Sequence, residues 1–195
     1  MSDPLHVPKR YIPRTLSKRD LGKQRAYLRK SRRLYKRGVF WQRPAVKTFK
    51  SKPSGHVANA MRKYGVDSVK PSAELARKTR CKRSALEKIV NKGRGAYYSS
   101  GSRPNQTAES WGLARLASAI TGGPASKIDR DILEEGCDSK SLALSVALSA
   151  ALSETKRSKA LKGGSHKWTA KYKKSINCKN PRGFSQKQYC KYGRK

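Results

Sequence analysis

Acidic residues are what this chain has least of. Against 47 Lys+Arg it carries 12 Asp+Glu, so 195 residues bear a formal net charge of +35. A body so charged repels itself unless anionic groups from elsewhere meet the excess. Long apolar runs are also missing. No run of about 18 apolar residues occurs, which excludes a membrane-spanning helix. The opening Met-Ser-Asp-Pro-Leu-His-Val-Pro-Lys-Arg lacks the apolar centre of a secretory signal. Cysteine is scarce and scattered: Cys81, Cys137, Cys178 and Cys190 are too few to build a scaffold. Free thiols are the default expectation, with a Cys178–Cys190 disulfide closing the tail as the alternative under oxidising conditions. Neither a CxxC nor a cysteine with a supporting histidine is present, and His6, His56 and His166 sit in basic or linker contexts. No zinc site or cysteine nucleophile is therefore expected.

What is present is unevenly placed. Met1 to Lys63 carries net +17, Tyr64 to Arg103 net +7, Pro104 to Glu154 net −3, and Thr155 to Lys195 net +14 with no acid at all. The near-neutral centre also holds most of the aliphatic side chains, so a core is expected there with a cationic extension on each side. The expected fold is mainly α: a small helical core domain with extended basic N- and C-terminal arms. Its divisions are an arm over 1–65, a core over 66–154 and a tail over 155–195.

Periodicity supplies the helices. Leu113, Leu116, Ala117 and Ile120 share one helical face, with Thr107 as N-cap and Gly122-Gly123-Pro124 as the stop. A short helix is predicted around Ile128 to Glu135, ending at Gly136. Over Ser139 to Glu154, aliphatic residues fall almost all round a helix and leave Ser141, Ser145, Ser149 and Ser153 as the polar stripe. That pattern predicts burial on most sides. No segment has the strict alternation of a half-buried strand.

The N-terminal arm has structure of its own. Ser17-Lys18-Arg19-Asp20 has capping-box form, and Leu21, Leu28 and Tyr35 repeat every seven residues before Gly38. These three are read as a docking seam for a partner. The remaining faces are cationic and lack acidic partners at helical spacing. Arg43-Pro44 and Ser51-Lys52-Pro53-Ser54-Gly55 read as linkers before a short helix ending at Tyr64-Gly65.

Residues 71–93 read as two short capped helices joined near Cys81, with helix-turn-helix spacing and Gly93 as terminator. Arg80 stands near the turn, a place that often prefers glycine. Any αα-hairpin gives the same apolar pattern, and DNA reading is the less favoured alternative. The stretch 93–106 is expected as a loop. Its arginines, Arg94 and Arg103, are able to clamp phosphate or carboxylate, and Tyr97 and Tyr98 to stack on bases. The opposing expectation is a rigid connector whose tyrosines plug the core. Asp129, Asp131, Glu134, Glu135 and Asp138 form the acidic cluster, expected to pair with Arg or Lys rather than to hold a metal. No catalytic constellation survives, so the chain is read as neither an enzyme nor a binder of a cofactor or small-molecule substrate.

The residues Lys92 to Thr107, Ser110-Trp111-Gly112 and Ala114-Arg115-Leu116-Ala117-Ser118 carry a resemblance. It continues through Ile120 to Gly123, Asp129 and Gly136-Cys137-Asp138, with Arg10 to Lys18 and parts of 174–187 matching as well. Together they resemble a basic virion-protein family of large nucleocytoplasmic DNA viruses, of the chlorella-virus and mimivirus kind. Its central domain also occurs in some tailed phages. The resemblance implies a protein carried in the virion and supplies no catalytic residues. The expectation is a minor capsid component that straps or cements larger capsid subunits on the inner face of the shell. Its partners would be major and other minor capsid proteins, made with it in host cytoplasm or nucleus. A packaged protein that binds and condenses viral DNA is the alternative. In either case the expected polyanion- or partner-binding residues are Arg25, Arg29, Arg32, Arg33, Lys36, Arg37, Arg77, Lys82, Arg83, Arg94, Arg103, Lys171, Lys173 and Lys174.

Overall fold

The computed structural model describes residues 5–150, 152, 169–181 and 183–192. They divide into two compact units, Met1–Glu154 and Thr155–Lys195. In the first, a 3-10 turn (Lys9–Tyr11) leads into α1 (Lys18–Tyr35), α2 (Gly55–Tyr64), α3 (Ala73–Thr79) and α4 (Arg83–Ser99). Then follow α5 (Ala108–Ile120), α6 (Pro124–Ile128), α7 (Arg130–Gly136) and a helix over 142–150, here α8. The protein is mainly helical, and among the described residues the only β-pairing is a lone bridge between Cys81 and Cys137.

Ser72 and Thr107 cap their helices as expected, but α4 starts at Arg83 with no side-chain cap, Ser84 lying inside the helix. Thr107 and Ser110 form a reciprocal capping box that starts α5, and Pro124 occupies the first turn of α6. Gly65 closes α2 in the left-handed region. Arg80, not a glycine, makes the turn between α3 and α4 at φ 54°. A β-carbon in that conformation costs roughly 1–2 kcal/mol, so the corner is locally strained.

Gly93 does not terminate α4. The helix runs six residues further, to Ser99, because Gly93 is a packing residue on α5. A β-carbon on Gly93 would lie 2.7 Å from the Gly112 Cα, and one on Gly112 would lie 2.8 Å from the Val90 carbonyl oxygen. Two missing side chains let the helices cross backbone to backbone. Around that crossing Leu86, Ile89, Val90, Leu116 and Ile120 are fully buried, joined by Leu75 from α3 and Leu133 from α7. Burial of each such side chain contributes roughly 1.5–3 kcal/mol. The central block supplies Leu116, Ile120 and Leu133 to this core, but α3 and α4 from the basic block before it supply as much, and Ala60 and Tyr64 of α2, expected in the arm, belong to it too.

Two further expectations need correction. The segment after Ser139 is not buried on most sides: Ala143 and Ala147 face the core, whereas Leu142 and Leu148 are exposed. Leu144 and Val146 are half-buried beside the two alanines, and Ser141, one of the predicted polar stripe, is itself buried with its hydroxyl donating to the Thr79 carbonyl at 2.6 Å. Ser153 lies outside the described residues. Nor are the cysteines free. Cys81 and Cys137 are joined, tying the α3–α4 corner to the end of α7, with Lys82 N–H donating to the Gly136 carbonyl beside the link. They are 56 residues apart in sequence, so no local spacing could announce the pair.

The N-terminal segment differs most from its expected form as an extended arm. Leu28 is 0 % exposed, and Tyr11, Leu16 and Val46 are buried with it. Of the seam, Leu28 and Tyr35 pack on this chain's own body, against Gly101 and Tyr98, while Leu21 is half-buried and lines an open groove. Gly101, at φ 98°, lies so close to Leu28 that a β-carbon there would meet its Cδ2 at 2.6 Å. A narrow apolar stripe suffices because polar groups complete the contact. Gln24 donates to the carbonyls of Tyr11 and Ser102, and Ser31 to that of Tyr98.

In the second unit the described residues form α9 (Ala170–Ser175) and α10 (Gly183–Tyr192). Thr169 caps α9, and a Cys178–Cys190 disulfide closes the pair. The tail alternative of a disulfide is therefore the one observed, and the described part of the tail is helical rather than extended.

Candidate polyanion-binding face

The face begins with what fixes α1. Ser17 caps the helix by accepting from the Asp20 N–H at 3.2 Å. The capping box is only half formed, because the Asp20 carboxylate turns instead to Thr48, accepting from its N–H at 2.9 Å and its hydroxyl at 2.8 Å. Those bonds hold the Asp20 carboxyl below the usual carboxylate range. The only acid of α1 thus points at the chain that returns beside it and leaves the outer surface without negative charge.

That return, residues 39–49, contains Arg43-Pro44, a pair that reads as a linker in the sequence. Asn105, at φ 56°, clamps it with three bonds, accepting from the Val46 N–H and donating to the Val46 and Phe49 carbonyls. Arg43 is its keystone and is 7 % exposed. The guanidinium donates to Ser31 Oγ at 2.9 Å, to the Tyr97 carbonyl at 2.9 Å and to Ser102 Oγ at 2.8 Å. It also lies over the Tyr97 ring, 3.6 Å from its centroid. No carboxylate pairs with it among the described residues. Burial pushes its pKa down, and burial likewise pushes the Tyr97 phenol up. Arg43 joins α1, the end of α4 and the 100–105 connector.

With α1 locked, its outer face presents Arg25, Arg29 and Arg33, and the turn that follows it adds Lys36 and Arg37, all exposed. Among the described residues none of the five lies within ion-pair distance of a carboxylate; the only ion pair on this helix is Lys23 with Asp20 at 3.9 Å. At the start of α1 the same face borders an open groove floored by Leu5, Val7, Ile12 and Leu16 and rimmed by Lys9, Arg14, Lys18 and Arg25.

The other predicted residues separate from this face. Arg32 turns inward, donating to the carbonyls of His6 and Ser100 at 3.0 Å each. Arg77 and Lys82 are exposed at the α3–α4 corner, while Arg83 is paired along its helix with Glu87. α4 packs against α1, α3, α5 and α7, so the helix-turn-helix spacing is that of an αα-hairpin built into the core. Arg94 lies in α4, not in a loop, and is engaged by Glu109 and by Asn91. Arg103 is exposed. Tyr97 is a core plug; Tyr98 is half-buried. Lys173 and Lys174 are exposed on α9, and the Lys171 side chain lies outside the described residues.

Three members of the acidic cluster, Asp129, Asp131 and Glu134, are found with Arg or Lys partners. Asp129, fully buried, takes a two-pronged contact from Arg115 at 2.7 and 2.8 Å and a second cation, Lys92, at 2.9 Å. Asp131 and Glu134 lie near Arg130. Among the described residues no group of three His, Cys, Asp or Glu side chains is disposed to hold a metal. No helix among them is long and apolar enough to cross a membrane.

Fold and surface together define a small, basic, mainly helical protein with a cationic face on α1 that, among the described residues, no carboxylate neutralises. The chain belongs to the Family of unknown function (DUF5824), which matches residues 8–132, from the turn before α1 into α7. No curated protein and no solved structure matches it.

Proposed function

We propose that this protein binds nucleic acid through the outer face of α1. The observation that carries the reading is the row Arg25, Arg29, Arg33, Lys36 and Arg37, exposed along a helix and the turn after it, the helix's one carboxylate being turned inward. A phosphate backbone supplies the missing negative charge as a line of regularly spaced anions, and each phosphate neutralised releases counterions. Arginine suits the task because its planar fork grips two phosphate oxygens at once. The +14 of residues 155–195 adds to the same attraction.

The test is the salt dependence of binding. If all five cations meet phosphates, they contribute about −4.5 to the slope of log K against log salt. Replacing Arg29, Arg33 and Arg37 by Gln makes the slope shallower by about 2.7. A slope unchanged by the triple variant overturns the assignment to α1.

A second reading, favoured by the exposed Leu142 and Leu148 of α8, is attachment to protein. With the virion resemblance it becomes a minor capsid component cementing shell subunits. Retention by nuclease-treated, DNA-free particles supports that reading; release together with the genome supports nucleic-acid binding.

A further inference from the structure

Beside the cationic face lies a group of aromatic rings that the core does not use. After α1, Gly38 at φ 76° reverses the chain, and Val39 N–H donates to the Leu34 carbonyl. This sets Phe40 on the surface, 65 % exposed. Its ring meets Tyr98 edge to face at 5.3 Å and Tyr35 at 5.9 Å, while Tyr35 and Tyr98 lie parallel within 7°. The next residue, Trp41, packs edge to face on Tyr27 at 5.7 Å and carries the Lys30 ammonium 4.5 Å over its ring. From behind, the buried Tyr97 braces Tyr98 at 5.0 Å. The rings are therefore held in place before any ligand arrives, which lowers the entropy that binding must overcome.

We infer that Phe40, Tyr98 and Trp41 form a stacking platform for unpaired bases, making single-stranded nucleic acid the preferred ligand of the α1 face. The inference rests on the proposed nucleic-acid reading and names the strand class within it. An exposed phenyl ring offers nothing to a phosphate, and base faces inside a duplex are already stacked on one another. Unpaired bases present those faces, and any base stacks on an aromatic side chain whatever its sequence. The surroundings match the rest of such a ligand. Lys36 and Arg37 lie in the reversal next to Phe40, Lys30 caps Trp41, and Arg33 lies one turn back on α1. An acidic protein surface would use these cations and leave the rings idle.

Full-length protein is titrated into labelled oligo-deoxythymidylate and into a duplex of equal length, with anisotropy as readout. Phe40→Ala weakens single-strand binding by about 5- to 150-fold and leaves duplex binding unchanged. Phe40→Trp keeps a stacking surface and retains wild-type single-strand affinity. Equal losses for both ligands with Phe40→Ala, no loss for either, or a Phe40→Trp loss matching that of Phe40→Ala overturns the platform. Salt-dependent binding of wild type to both ligands, unaffected by Phe40→Ala, refutes the platform alone. Failure of wild type to bind either ligand at low salt refutes the underlying nucleic-acid reading as well.

Discussion

Replacing Arg43 by Met keeps the aliphatic stem and deletes the fork, and the consequences follow from its three acceptors. The Tyr97 carbonyl is among the last of α4, where no backbone N–H of the helix remains to reach it. Losing its donor leaves a buried acceptor unpaired, at about 1–3 kcal/mol. The two hydroxyls suffer less, since Ser31 still donates to the Tyr98 carbonyl and Ser102 to the Arg103 carbonyl. They forfeit only an incoming bond, about 0.5–1.5 kcal/mol each. The contact with the Tyr97 ring, shielded from water, adds about 2 kcal/mol. Against this, wild type already bears the cost of holding an unpaired cation away from water, several kcal/mol after relaxation, and Met removes it. The net expectation is a loss of about 2–3 kcal/mol. In urea unfolding followed by circular dichroism, the midpoint falls by about 1–2 M at ordinary denaturant sensitivity. Arg43→Lys, with one ammonium for three diverging acceptors, falls between. A variant as stable as wild type, or more so, refutes the view that this guanidinium ties α1 to the domain.

Tyr64 donates its buried hydroxyl to the Ile120 carbonyl at 2.6 Å, and burial pushes its pKa up to about 12. Because the folded state favours the neutral phenol, stability is intact below pH 10 and lost as pH rises from about 10 to 12, by about 3 kcal/mol; Tyr64→Phe removes that segment of the pH profile. Gly93→Ala gains about 1 kcal/mol of helix propensity but forces α4 off the Gly112 backbone, at roughly 1–3 kcal/mol or more, so calorimetry shows a lower Tm. The Cys81→Ser/Cys137→Ser double variant loses the closure of a long loop, about 4 kcal/mol by chain entropy, read from urea midpoints with and without reductant.

The helices of the central block could be read from the chain because their causes are local: the Thr107 cap, the i, i+3, i+4 row of α5, the Gly-Gly-Pro stop. Gly93 was misread because a glycine that ends a helix and one that admits a neighbouring backbone look alike in one dimension; only its partner Gly112, on another helix, tells them apart. The N-terminal segment was misread for a related reason. Its composition is dominated by charge, and residues that dock it, Gln24, Ser31 and Arg43, are polar types that ordinarily face water. A faint signal lies in Phe40-Trp41 and Val46, apolar residues on either side of Arg43-Pro44, and in Asn105, a residue tolerant of positive φ. Sequence shows how many cations α1 carries but not which of them turn inward. Arg32 and Arg25 stand on the same helix, yet one binds backbone carbonyls and the other is exposed.

The account stands on α1 being part of the folded domain when the protein is alone. Amide hydrogen exchange of the free full-length chain reads this directly. Protection at Leu28, Arg29 and Arg33 approaching that of Ile89 and Val90 in α4 is the result predicted. Exchange of the α1 amides at unstructured rates, while α4 and α5 stay protected, would contradict it.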